Sequence, residues 1–134
     1  MQILNYGGGW QTTAMLVLIH QGKLERPDRI VIADTGREKS STWRYLESTA
    51  QPKMREIGLE IEIAPRSLAK VDLYSHQGTI LLPVYTATGK LSAFCSTEWK
   101  ARVIDRYIRQ NGGPPVSERT HWIGFAFDER HRFL

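Results

Sequence analysis

Gln2-Ile3-Leu4-Asn5-Tyr6, then Gly7-Gly8-Gly9, then Trp10-Gln11-Thr12-Thr13, then Ala14-Met15-Leu16-Val17-Leu18-Ile19: this unbroken run decides the fold. It reads as a short strand, a glycine turn, a hydroxyl pair and a buried helix closed by Gly22. Glycines let backbone N–H groups turn toward a ligand without a Cβ in the way. The helix start adds orphan donors and a positive partial charge, which together suit an anion. Thr12 and Thr13 are expected to cap the helix or donate to a phosphate. A tight strand-to-helix turn with an N-cap accounts for part of this pattern. Three successive glycines exceed what capping needs.

Working outward, Arg29-Ile30-Val31-Ile32-Ala33 is a second β-branched run that ends in Asp34-Thr35-Gly36. An acid and a glycine turn at the end of a strand lie at the sheet edge that faces ligands in open α/β folds. Ser40 and Ser41 offer N-caps to a helix whose apolar positions are Trp43, Leu46, Ala50, Met54 and Ile57. Pro52 predicts a kink or break in it, and Gly58 its stop. Leu59-Glu60-Ile61-Glu62-Ile63 alternates as a third strand, and its acidic face places it at a sheet edge.

Between Pro65 and Lys90 the periodicity weakens. Leu68, Val71, Leu73 and Tyr74 predict a short helix, Pro83 argues against a central strand, and Tyr85 to Lys90 reads as a turn. This region is expected to pass over the top of the sheet. Ser96 caps a further predicted helix with the stripe Trp99, Val103, Ile104, Tyr107 and Ile108, which Asn111-Gly112-Gly113-Pro114-Pro115 ends. His121 to Ala126 reads as a last strand. Strand, helix, strand, helix, strand, then helix and strand predict an α/β fold with a mainly parallel, doubly wound sheet.

The 134 residues suit a single domain spanning 1–134. A net charge of +4 suits a polyanionic small ligand or a nucleic acid and decides neither. The lone cysteine, Cys95, excludes an internal disulfide and a four-cysteine iron–sulfur or zinc site within one chain. No apolar run reaches membrane-spanning length, and Met1 leads directly into a strand, so no membrane association is expected and the cytoplasm is the expected compartment. The four histidines lack metal-ligand spacing, and His20 is expected to serve the C-terminus of its own helix. Trp43 and Trp99 are read as core residues and Trp10 as a residue free to stack.

Two familiar phosphate loops fail on these residues. A Walker loop needs Lys and Ser/Thr after its last glycine, where Trp10-Gln11-Thr12 stands. The dinucleotide fingerprint is only partly met by Gly7-x-Gly9-x-x-Thr12, and Asp34 comes too late for its acid. The loop Gly7 to Thr13 instead resembles the pyrophosphatase (PP) loop of the adenine nucleotide alpha-hydrolase superfamily, which usually runs Ser-Gly-Gly-Lys-Asp-Ser. Gly8, Gly9 and Thr12 keep that pattern, while Gly7 replaces its first serine and Gln11 its acid. Asp34-Thr35-Gly36 with Glu38 is similar to the Asp-Thr-Gly element of the phosphoadenosine phosphosulfate reductase family. Phe94-Cys95-Ser96-Thr97-Glu98-Trp99-Lys100 resembles its Cys-Thr-x-x-Tyr-Lys element, and Gly124 to Glu129 with Arg132 its Gly-Ile-x-x-Asp-Glu-x-x-Arg element.

The resemblance implies a three-layer sandwich of the HUP type that binds an adenine nucleotide, ATP or a phosphoadenosine-type nucleotide, with Mg²⁺. It implies nucleotide contacts from Gly7, Gly8, Gly9, Gln11, Thr12, Thr13, Asp34, Thr35 and Gly36, with Asp34 helping to hold the metal. Lys100 and Arg132 are the implied phosphate or sulfate contacts. Cys95, just before a helix start where a thiolate is stabilised, is either a catalytic candidate or a small half-buried apolar residue. The family's reductases carry a C-terminal cysteine segment that this chain lacks, so thiol reduction and an iron–sulfur cluster are not expected. The implied activity is ATP cleavage between the α- and β-phosphates or sulfonucleotide handling. The alternatives are a non-catalytic nucleotide-binding subunit and a component of nucleic-acid sulfur transfer. The resemblance implies either a fragment of a longer protein or a minimal family member completed by a partner subunit or a homo-oligomer.

Overall fold

In chain order the elements are β1 (Gln2–Asn5), α1 (Trp10–His20), β2 (Arg29–Ala33), α2 (Ser40–Tyr45), α3 (Gln51–Glu56) and β3 (Ile61–Ala64). Four two-residue strands follow, β4 (Ser75–His76), β5 (Thr79–Ile80), β6 (Tyr85–Thr86) and β7 (Gly89–Lys90), then α4 (Arg102–Gln110) and β8 (Thr120–Trp122). This computed structural model describes residues 1–36, 38–69, 75–76, 79–80, 85–86, 89–90 and 100–124.

The main sheet has four strands in the order β3-β2-β1-β8, all parallel. Parallel neighbours need crossovers, and the intervening helices supply them. Strand order runs outward from β1 to β3 and then returns to the other side of β1 with β8. That reversal opens a crevice at the carboxyl ends of β1 and β8.

Side-chain alternation along each strand feeds two separate cores. Leu4, Tyr6, Ile30, Ile32 and Ile61 pack with Leu16 and Ile19 of α1 and with Leu46, Ala50 and Met54. Ile3, Val31, Ala33 and Ala64 pack with Val103, Ile104 and Ile108 of α4. The run Ile30-Val31-Ile32 is apolar without a break because helices cover both faces of β2. Each such side chain, fully buried, contributes about 1.5–3 kcal/mol.

Several local expectations are revised. Thr12 and Thr13 do not cap α1: Gly9 holds the N-cap position without a side-chain bond. Likewise Lys39, not Ser40 or Ser41, precedes α2, and both serines are already helical. The disturbance expected at Pro52 falls before it, as a π-helical turn over Leu46–Ala50. Pro52 itself sits in the first turn of α3, where its missing N–H costs least. His20 pairs with Glu56 of α3 at 2.7 Å rather than serving its own helix end. β3 is an edge strand of the sheet, as its acidic face predicts, but Glu62 on it is not left to water, because Arg29 holds it from β2.

The weak region opens with a 3₁₀ turn at Arg66–Leu68, and the rest of the predicted short helix lies outside the described residues. It then holds two antiparallel hairpins, β4-β5 and β6-β7, the second where a turn was expected. Val71, Leu73, Tyr74 and Pro83 lie outside the described residues, as do Ser96, Trp99 and the end of the last predicted strand after Gly124. No helix among the described residues is long and apolar enough to cross a membrane.

Candidate functional site

The crevice at the strand ends is a cleft of about 260 Å³. Asn5, Tyr6 and Gly7 enter it from the end of β1, Ile32 and Ala33 from β2, and Ile123 and Gly124 from just past β8. Thr12 of α1, Glu38, and Lys100, Ala101 and Ile104 at the start of α4 complete it. The parallel sheet explains the meeting: every strand ends at this edge, and the helix that follows β1 starts there.

Hydroxyls tie the loop. Gly7 N–H donates to Thr12 Oγ1 at 3.3 Å, so Thr12 reaches back and closes the turn instead of capping. The Tyr6 hydroxyl and Thr13 Oγ1 lie 3.2 Å apart. Burial is the main reason that the Tyr6 phenol is raised above its ordinary pKa, with Thr13 pulling the other way. Gly8 has φ +75° and a Cβ there would stand 2.6 Å from Thr42 Cγ2, so this position excludes side chains twice over. At Gly124 the constraint is approach alone: a Cβ would come within 2.9 Å of Thr12 N. That close pass brings the end of β8 against the start of α1.

Lys100 Nζ stands 3.7 Å from Glu38 Oε1, with the two side chains 44% and 22% exposed. This is a loose, wet pair whose ammonium is available to an anion. Gly8, Gly9 and Thr13 line a second groove of about 290 Å³ on the loop, together with Trp10, Ser41, Thr42 and Tyr45. Trp10 is 90% exposed. Gln11 is exposed as well and borders a shallower apolar groove with Ala14, Met15, Leu18 and Ile123.

The expected residues thus divide. Gly7, Thr12 and Lys100 share the first cleft; Gly8, Gly9 and Thr13 border the second groove. Asp34, Thr35 and Gly36 form a turn at the end of β2 and are not among the residues lining either cavity. Asp34 Oδ1 accepts the Gly36 N–H at 2.9 Å, and Thr35 is buried. Cys95 and Arg132 lie outside the described residues, as do Asp128 and Glu129. Asn5 and Ile123 join the cleft with no signal in their local sequence; each is simply the last or next residue of a strand that reaches this edge. Among the described residues no three His, Cys, Asp or Glu side chains cluster to hold a metal.

No protein-family model, curated protein or solved structure matches this chain.

Proposed function

We propose that this chain is an adenine nucleotide-binding PP-loop protein of the phosphoadenosine phosphosulfate reductase-like family, with the HUP-type sandwich. Its chemistry would be ATP cleavage between the α- and β-phosphates, or sulfonucleotide handling. One observation carries the reading: Lys100, distant in sequence, lines one cleft with Gly7 and Thr12 of the loop where the order of a parallel sheet reverses. Backbone N–H groups, a hydroxyl and an ammonium are the donors that a polyphosphate uses, and such chemistry depends mainly on positioning and charge neutralisation.

Mg²⁺ fits this donor set. It takes one or two carboxylates and completes its shell with water and phosphate oxygens, so no three-residue cluster is required. Asp34 and Glu38 are the carboxylates near this edge that would hold it, and the ion would supply charge neutralisation to the phosphates. Exposed Trp10, Leu18 and Ile123 give a partner subunit or a second copy an apolar surface to cover.

Calorimetry with ATP and Mg²⁺ tests the proposal. A Cβ at Gly9 meets only Gln11 Oε1 at 3.8 Å, so Gly9→Ala finds room, although it gives up a favoured N-cap residue. It is expected to weaken ATP binding at least tenfold by screening the loop's N–H groups, against a stability loss of about 1 kcal/mol in urea unfolding. Absence of ATP and phosphoadenosine binding to the unmodified chain at millimolar levels rejects the reading. A binding subunit without turnover is a second reading, favoured by Gln11 in place of the loop acid. Pyrophosphate or AMP release separates the two.

A further inference from the structure

Asn5 ends β1 and lines the cleft two residues before Gly7. Its Oδ1 pairs with His121 Nδ1 at 2.9 Å. An amide oxygen only accepts, so Nδ1 carries the proton and the two amide N–H groups of Asn5 are what remain for the cleft. The far side of the ring faces Asp105 of α4, whose Oδ1 is 3.3 Å from His121 Nε2. Asp105 Oδ1 accepts in turn from Arg119 at 3.1 Å, and the Arg119 side chain is 0% exposed. Arg119 Nε donates to the Pro114 carbonyl at 2.7 Å, which fixes the start of the chain.

Four polar side chains therefore run in series from beneath α4 to the cleft wall. Among the described residues, His121 Nε2 and Arg119 Nη2 are buried and make no hydrogen bond. Each such group costs on the order of 1–3 kcal/mol. A series kept at that cost is not needed to hold α4 to the sheet, because Val103, Ile104 and Ile108 already pack on β1, β2 and β3. The rest of the cleft's polar lining includes the Thr12 hydroxyl, whose oxygen accepts the Gly7 N–H, and an ammonium beside its carboxylate. That company suits an anionic oxygen next to Asn5.

We propose that Asn5 donates its amide N–H to a phosphoryl oxygen in this cleft, and that His121 is a positioning residue that keeps the donor end turned inward. Asp105 stands 3.3 Å behind the ring without a hydrogen bond to it and is itself fixed by Arg119. The choice of ligand rests on the nucleotide reading; the geometry of the series does not.

The test titrates the full chain with inorganic pyrophosphate, ATP and adenosine. Asn5→Asp replaces the donor with a like charge and is expected to lower pyrophosphate and ATP affinity at least tenfold, leaving adenosine affinity unchanged. His121→Phe leaves Asn5 in place but unheld, and a three- to tenfold loss is expected. His121→Gln supplies an N–H to the same oxygen and restores binding. In the unmodified chain, the Asn5 side-chain amide resonances shift when pyrophosphate is added, a readout independent of variant folding. Unchanged pyrophosphate and ATP affinity in both Asn5→Asp and His121→Phe, an equal loss for adenosine, or immobile Asn5 resonances overturns the proposal while ATP binding to the unmodified chain upholds the nucleotide reading. Pyrophosphate binding with no ATP or adenosine binding rejects the nucleotide reading and leaves the proposal standing. No binding of either phosphate ligand rejects both.

Discussion

At the amino ends of the strands Arg29 grips Glu62 through two nitrogens, one at 2.8 Å, while Tyr107 donates to the same carboxylate at 3.2 Å and lies under the guanidinium. At the carboxyl ends of the same strands Lys100 stands 3.7 Å from Glu38, and Asn5 keeps its amide N–H groups for the cleft. The lower edge closes several further polar groups on one another: His20 with Glu56, Arg55 with Glu60, and Arg29 with the Asn111 carbonyl as well. Glu62 accordingly pushes the Arg29 guanidinium above its ordinary pKa. The upper edge keeps donors in reserve. Polar groups saturated within the chain hold the fold together, while those held loosely beside a cavity are the ones proposed to meet a ligand.

Arg29→Ala is the strongest way to break this contrast. It strands a half-buried carboxylate, and a loss of about 3 kcal/mol in urea unfolding is expected with ATP affinity unchanged. If ATP affinity falls as well, the two edges are not independent. Gly124→Val attacks the upper edge: it forces β8 away from the α1 start, and at least a tenfold loss of ATP binding is expected against about 1–2 kcal/mol in stability.

Tyr6→Phe costs about 1 kcal/mol near neutral pH by orphaning the Thr13 hydroxyl. Its pH dependence has a definite sign. Burial raises the folded pKa of Tyr6 above 10.0, so its contribution is intact below that pH and is lost as pH rises through the folded value. Urea midpoints of the unmodified chain and Tyr6→Phe should converge there. The smallest effect is at the lower edge. The hydrogen bond from His20 lowers Glu56 below 4.5, so its contribution is present above that pH and is lost as pH falls through the folded value. Glu56→Gln should therefore differ from the unmodified chain at neutral pH and match it in acid.

Much of the fold was legible because buried strands and amphipathic helices write their periods into the chain. Ile30-Val31-Ile32, the α4 stripe Val103, Ile104 and Ile108, and Gly22 and Gly58 after their helices each carry a local reason. Hydroxyl chemistry was less legible. Thr12, Thr13, Ser40 and Ser41 all look like caps, yet the threonine hydroxyls bond to Gly7 and Tyr6 because the loop folds back over α1. The partners of His20 and Glu62 were hidden for a related reason, although the edge position of β3 was legible: Glu56 and Arg29 are 36 and 33 residues away.

The sequence alone was enough for the order of the main-sheet strands and their helices, their parallel connection, and the glycine turn between β1 and α1, since these depend on period, glycine and chain order. Only the tertiary structure decided that β8 returns beside β1, that Lys100 and Glu38 meet across the cleft, and that His121 holds Asn5. The reason is distance along the chain: Asn5 and His121 are 116 residues apart. No local pattern encodes such a pair; sheet pairing and two apolar cores bring it together.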